Sequence, residues 1–197
     1  MVILTAIPFA PDLNLGRAYN ATMELLPEGG WACFLDHDAA FTTPRWHEQL
    51  LRAIEGEPRG SFTAVTNRIA SSWQRARDPR AEGDDMEAHR RVGADLATVR
   101  VLRDVTDAGL WGGVLMRLSK AAWLDAGGFA DGLLCADHVM HRALRAAGRR
   151  VYLIEGLYVY HYRGTSRGDV SALPVAVDPA TGRPCHDFSS TGRNATA

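Results

Sequence analysis

The run Phe34-Leu35-Asp36-His37-Asp38 sets two carboxylates one residue apart at the end of an apolar stretch. Trp31, Ala32, Cys33, Phe34 and Leu35 read as a short buried strand opening from the Gly29-Gly30 turn. Side chains alternate along a strand, so Asp36 and Asp38 are expected to point the same way at its carboxyl end. Two hard oxygen donors side by side suit Mg²⁺ or Mn²⁺. Ligands of open α/β sheets bind at the carboxyl ends of strands. The chemistry this suggests is a divalent cation holding a diphosphate. A lone Asp-X-Asp is also an ordinary turn, and only its surroundings separate the two.

The elements that must position this pair follow from periodicity and breakers. Residues 2–7 read as a buried first strand closed by Pro8, and residues 17–26 as a helix ended by Pro27 and the glycine pair. Pro44 opens a helix over 45–54, with Trp46, Leu50, Leu51 and Ile54 at helical spacing. A third strand is expected within 61–69. Residues 74–91 are dense in charge of both signs and broken by Pro79 and Gly83, which reads as a solvated excursion or plain exposed insertion. Strands are expected over 99–105 and 113–118, around a turn at 107–112. Ser119 caps a helix over 120–126 stopped by Gly127-Gly128, and a second helix covers 136–147 with Gly148 as its stop. Residues 151–154 and 157–160 are strand-like. Alternating strands and helices argue for an α/β sheet. The expected organisation is one domain over 1–164 and a polar, breaker-rich, partly disordered tail over 165–197.

The chain has 197 residues, 46% hydrophobic and 23% charged, with 22 basic against 23 acidic side chains. A net charge of -1 gives no general electrostatic case for nucleic acid or an anionic membrane. Cys33, Cys135 and Cys185 are odd in number, far apart and form no Cys-X-X-Cys pair. Neither a disulfide framework nor a thiolate zinc site is expected, and Cys33 and Cys135 read as buried small hydrophobes. The opening residues carry no basic n-region and their apolar run stops at Pro8, so neither a leader nor a transmembrane segment is expected, and a cytoplasmic location is. Residues 14–20 are neither a P-loop nor a Gly-X-Gly-X-X-Gly fingerprint, which weighs against ATPase and dinucleotide readings.

Five segments, in order, resemble family 2 glycosyltransferases of the GT-A fold. They are Asn14-Leu15-Gly16-Arg17-Ala18-Tyr19-Asn20; Phe34-Leu35-Asp36-His37-Asp38; Trp111-Gly112-Gly113-Val114-Leu115-Met116-Arg117 with Gly127-Gly128-Phe129; Ala136-Asp137-His138 leading to Gly148; and Val159-Tyr160-His161-Tyr162-Arg163. The resemblance spans about residues 14–163. It implies a Rossmann-like, mixed and mostly parallel sheet flanked by helices. Two departures stand out. Only residues 8–30 separate the first strand from Trp31, where the family carries two further strand–helix units that hold the nucleotide base. Ala136 stands where the family has the first of two acids, leaving Asp137 alone.

The resemblance implies a metal-dependent, inverting transfer of sugar from a nucleotide-sugar donor. The acceptor class is open: glycan, lipid-linked glycan, protein or modified nucleic acid. Asp38 would bind Mn²⁺ or Mg²⁺, with Asp36 on the metal or the donor ribose and His161 as third ligand. The alternative for His161 is a strand-end histidine bonded to a backbone carbonyl. Asp137 would be the general base, or a carboxylate that complements a helix dipole, which would lower its pKa. Arg163, and more weakly Arg17 and Asn20, would face the donor, and the first helix would aim its N-terminus at a phosphate. Gly112 and Gly113 would let backbone approach substrates, and Trp111 would stack on a sugar or sit in the core. Two other readings stand beside this one: a GT-A-like binding module that transfers nothing, and a nucleotidyltransferase using the same metal–diphosphate logic.

Overall fold

Short apolar runs bounded by glycine and proline become the strands of one sheet, and the amphipathic runs between them become its covering helices. The computed structural model describes residues 2–162 and 173–185. In chain order these form β1 (Ile3–Ala6), α1 (Leu15–Glu24), β2 (Trp31–Leu35), β3 (Ala39–Phe41), α2 (Trp46–Gly56), β4 (Ser61–Thr66), α3 (Met86–Leu96), β5 (Leu102–Asp104), β6 (Leu115–Ser119), α4 (Lys120–Asp125), α5 (Ala136–Ala146), β7 (Val151–His161), β8 (Val177–Asp178) and β9 (Arg183–Pro184).

The main sheet has seven strands in the order β1-β2-β6-β4-β7-β3, with β5 also on β7. The β1–β2 and β4–β7 pairs are parallel, and β6 runs antiparallel to both β2 and β4. Both β3 and β5 run antiparallel to β7. Thus β1, β2, β4 and β7 share one direction, in a mixed α/β sheet of the expected Rossmann-like class. β2 is buried along its whole length because both faces are covered. Ala32 and Phe34 pack with Tyr19, Met23, Met140 and Leu144 of α1 and α5. Trp31, Cys33 and Leu35 pack with Leu50, Ala53 and Ile54 of α2. Each such large apolar side chain contributes roughly 1.5–3 kcal/mol by leaving water.

Three expectations change. β3 is a strand that the sequence reading left out, and it pairs in register with the end of β7. The two strand-like runs 151–154 and 157–160 are one strand, β7, whose register against β4 shifts between Ala64 and Val65. The charged stretch is not a solvated excursion throughout. Two short 3₁₀ turns, Ser72–Gln74 and Pro79–Ala81, lead into α3, whose Asp85 cap accepts from Glu87 N–H. α3 buries His89 and Val92, and the His89 ring bonds the Tyr158 hydroxyl of β7 at 2.7 Å. Of the expected tail, residues 173–185 are packed on the loop before α5, and the rest lies outside the described residues. Among the described residues, no helix is long and apolar enough to cross a membrane.

Candidate metal and catalytic site

The two carboxylates come together for a reason other than strand alternation. β2 ends at Leu35, and residues 36–38 form a turn into β3. Asp36 N–H donates to the Val114 carbonyl at 3.1 Å, and Ala39 N–H donates to the Asp36 carbonyl at 3.1 Å, closing the turn. Ala39 then pairs with His161, and Tyr162 N–H donates to the Asp38 carbonyl at 2.9 Å. The β3–β7 ladder therefore delivers His161 to the Asp-X-Asp turn. One ligand atom from each of Asp36, Asp38 and His161 lies within 4.8 Å of the other two.

His161 is held in a defined way. Its Nδ1 lies 2.6 Å from the Arg68 carbonyl, an acceptor only, so Nδ1 carries the proton. Nε2 stands on the carboxylate side, 3.2 Å from Asp38 and 3.8 Å from Asp36, where it donates when protonated and offers its lone pair to a cation when not. The backbone-carbonyl bond of the alternative reading is present, and it turns Nε2 towards the carboxylates, the orientation a metal-ligating histidine also uses. The His161 amide donates to the Asn67 side-chain oxygen at 2.7 Å. The Arg68 side chain pairs with Asp84 and donates to the Glu82, Gly83 and Tyr162 carbonyls. Asn67 and Arg68 are positioning residues that no motif marked. Two carboxylates and one imidazole are a donor set that could hold a divalent cation.

The electrostatics of this turn are those of crowded acids. Burial pushes the Asp36 carboxyl up to about 6; His161 opposes the rise, and the Asp137 and Asp38 charges add to it. The Gly113-Val114 segment links this turn to Asp137 of α5: the Val114 carbonyl accepts from the Asp36 amide, and the Gly113 backbone packs on the Asp137 carboxylate. The Asp137 pKa is raised, chiefly by burial, against hydrogen bonds from the His138 and Gly113 amides. The expected lowering by the helix dipole does not win. A Cβ at Gly113 would meet the Asp137 carboxylate oxygen at 3.1 Å, so the glycine lets this turn pack closely on the acid. Tyr19, which the Asn14–Asn20 motif carries without a role, packs with tilted rings between Phe34 and Phe129, and burial and the charges of Asp36 and Asp137 push its hydroxyl pKa up.

Several residues expected on the donor are spent elsewhere. Asn20 accepts from Trp123 Nε1 and the Phe129 amide and donates to the Phe129 carbonyl, all within 2.9 Å. The N-terminus of α1 is closed, since Asn14 accepts from the Arg17 and Gly132 amides and the Gly16 amide donates to the Gly132 carbonyl. The expectation of a phosphate there is corrected. Arg17 points to solvent and pairs with Asp12 at 2.9 Å. Trp111 is fully buried, its indole N–H donating to the Asp137 carbonyl, so it stacks on no sugar. Gly112 packs under Ile69 and is bonded through its amide to Gln74. Arg163 lies outside the described residues.

The cysteine reading is also corrected. Cys33 is buried as expected, but Cys135 and Cys185 approach each other and His138, with one ligand atom of each within 4.8 Å of the others. Distance in sequence hid the pair. No protein-family model matches this chain, and no curated protein is similar to it at a significant level.

Proposed function

We propose that the protein is a metal-dependent glycosyltransferase that moves a sugar from a nucleotide-sugar donor to an acceptor hydroxyl with inversion. The observation that carries this reading is the convergence of Asp36, Asp38 and His161 at one turn, with Asp137 of α5 tied to it through the Gly113-Val114 segment. Asp38 and His161 hold the cation, and Asp36 completes the set or meets the donor ribose. When bound, the cation supplies positive charge that offsets the charge building on the diphosphate as the sugar leaves. Asp137 accepts the proton of the acceptor hydroxyl as its oxygen attacks the anomeric carbon. A carboxylate whose pKa is raised by burial is a stronger base than an exposed one, which suits that task. Gly113 holds this acid against the glycine turn, and the Asn20 clamp fixes the 127–129 bend that leads towards it.

A second reading has its own support. Asn20, Trp111 and Gly112 are engaged inside the protein, which leaves fewer groups to grip a nucleotide. This favours a module that binds a metal–diphosphate without transfer. The products decide. Incubated with Mn²⁺ and a panel of nucleoside-diphosphate sugars, a glycosyltransferase releases nucleoside diphosphate in proportion to acceptor modified. Release of pyrophosphate from a nucleoside triphosphate would assign nucleotidyl transfer instead, and release of neither would leave the binding module.

A further inference from the structure

Cys135, His138 and Cys185 bring two thiol sulfurs and an imidazole nitrogen within 4.8 Å of one another. We propose that these three side chains form a second metal centre, taking a thiophilic divalent cation of the zinc class and distinct from the Asp36, Asp38 and His161 group. Softness separates the two: thiolate and imidazole select zinc-like ions, whereas the Asp36 group offers mainly hard oxygen. Zn–S bonds of about 2.3 Å and Zn–N bonds of about 2.0 Å in a tetrahedron put ligand atoms roughly 3.3–3.8 Å apart. The three atoms need to close by only ~1 Å to reach that geometry.

The backbone around them is built to hold the set. Cys135 is the N-cap of α5, and His138 follows in its first turn. Cys135 sits at φ 65, a left-handed conformation that glycine or asparagine adopts more readily, so a cysteine is kept there against local preference. Cys185 arrives from the far end of the β8–β9 hairpin. Its amide donates to the Ala176 carbonyl at 3.0 Å, and the Ala176 amide donates to the Leu134 carbonyl at 2.8 Å. Arg142 ties the same hairpin to α5 through Asp178 at 2.9 Å, and its Nη2–H donates to Cys185 Sγ at 3.2 Å. A donor aimed at a ligating sulfur is the usual outer support of a thiolate site. A redox pair would need only the two sulfurs; an imidazole nitrogen within 4.8 Å of both is what a cation uses. With three protein ligands, the fourth position is left for water, as in exchangeable rather than closed zinc sites.

The test is a cobalt titration of the full chain kept reduced with a phosphine. Cobalt at one equivalent should give intense thiolate-to-metal charge-transfer absorption that zinc then bleaches. The absorption should persist in Asp38→Ala and vanish in Cys185→Ser. Cys135→Ser serves as the second variant, with circular dichroism confirming that each is folded. No charge-transfer absorption in the wild type, or its survival in both cysteine variants, would overturn the assignment. So would a reduced protein that takes up no cobalt yet closes a Cys135–Cys185 disulfide with oxidised glutathione.

Discussion

Asp36 is forced between two demands, since it sits beside Asp38 and Asp137 yet keeps a side chain only 31% exposed. Its pKa rises from 3.8 to about 6, which means the native state prefers its neutral form. The stability this gives is full below the unfolded value and is lost as pH climbs through about 6. The loss is on the order of 2–3 kcal/mol at most. Metal-free wild type should therefore lose stability relative to Asp36→Asn as pH rises from about 4 to about 7.5. Thermal melts across that range check it, and parallel profiles would remove Asp36 from the buried turn. Asp137→Asn keeps shape and removes the proton acceptor. Turnover should fall roughly 10²–10⁴-fold while donor affinity holds; single-turnover assays and a binding titration separate the two effects. Arg117 poses the opposite problem. It is fully buried on β6, its guanidinium has no hydrogen-bond partner among the described residues, and its charge meets the Trp31 ring 5.5 Å away and the Cys33 thiol of the paired strand. Burial lowers its pKa to about 10. A cation–π contact returns about 2 kcal/mol, less than the several that desolvation costs. Arg117→Met should raise stability by ~1 kcal/mol or more, read as a higher denaturant midpoint, and a large loss would reveal a partner for the charge.

Helix α1 shows how an element can carry a motif and use it for structure. Its Asn14, Gly16 and Asn20 all bind the 127–132 loop. At Gly16 a Cβ would stand 1.8 Å from the Ala130 carbonyl oxygen. Alanine gains about 1 kcal/mol of helix propensity, but the clash costs roughly 1–3 kcal/mol or more, so packing wins. Gly16→Ala should lower stability and loosen the loop ahead of α5, which hydrogen exchange at 127–137 would register. What was readable in the chain follows from range. β2, α2, α4 and α5 obey local rules of apolar period, proline, serine cap and glycine stop, and their bounds fall within a residue or two of expectation. β3 is three residues of ordinary composition and exists only because β7 pairs with it, so no local pattern marks it. α3 hides its apolar face in few residues, His89, Val92 and Gly93, beneath a charged surface. In the candidate site, Asp36, Asp38, His161 and Asp137 were legible from their order along the chain. Asn67 and Arg68 were not, because they act through an amide oxygen and a backbone carbonyl.

Across the whole molecule, the sheet concentrates its chemistry along one end. The turn after β2 meets the end of β7 there, and the Gly113-Val114 segment ties both to the start of α5, although residues 36, 137 and 161 are far apart in sequence. The net charge of -1 offers no broad field to attract an anion, so in the proposed function a diphosphate would be held by local charge, with a cation at Asp36, Asp38 and His161 as its source. Cation and diphosphate should then bind with positive coupling, each raising the affinity of the other by the same factor. The direct measurement is calorimetric titration of Mn²⁺ into wild type and Asp38→Ala, with and without a nucleoside diphosphate. Tighter Mn²⁺ binding in the presence of nucleotide in the wild type, and no such coupling in a folded Asp38→Ala, is the expected result. Equal nucleotide-dependent gain in both proteins would contradict a metal–diphosphate site at Asp36, Asp38 and His161.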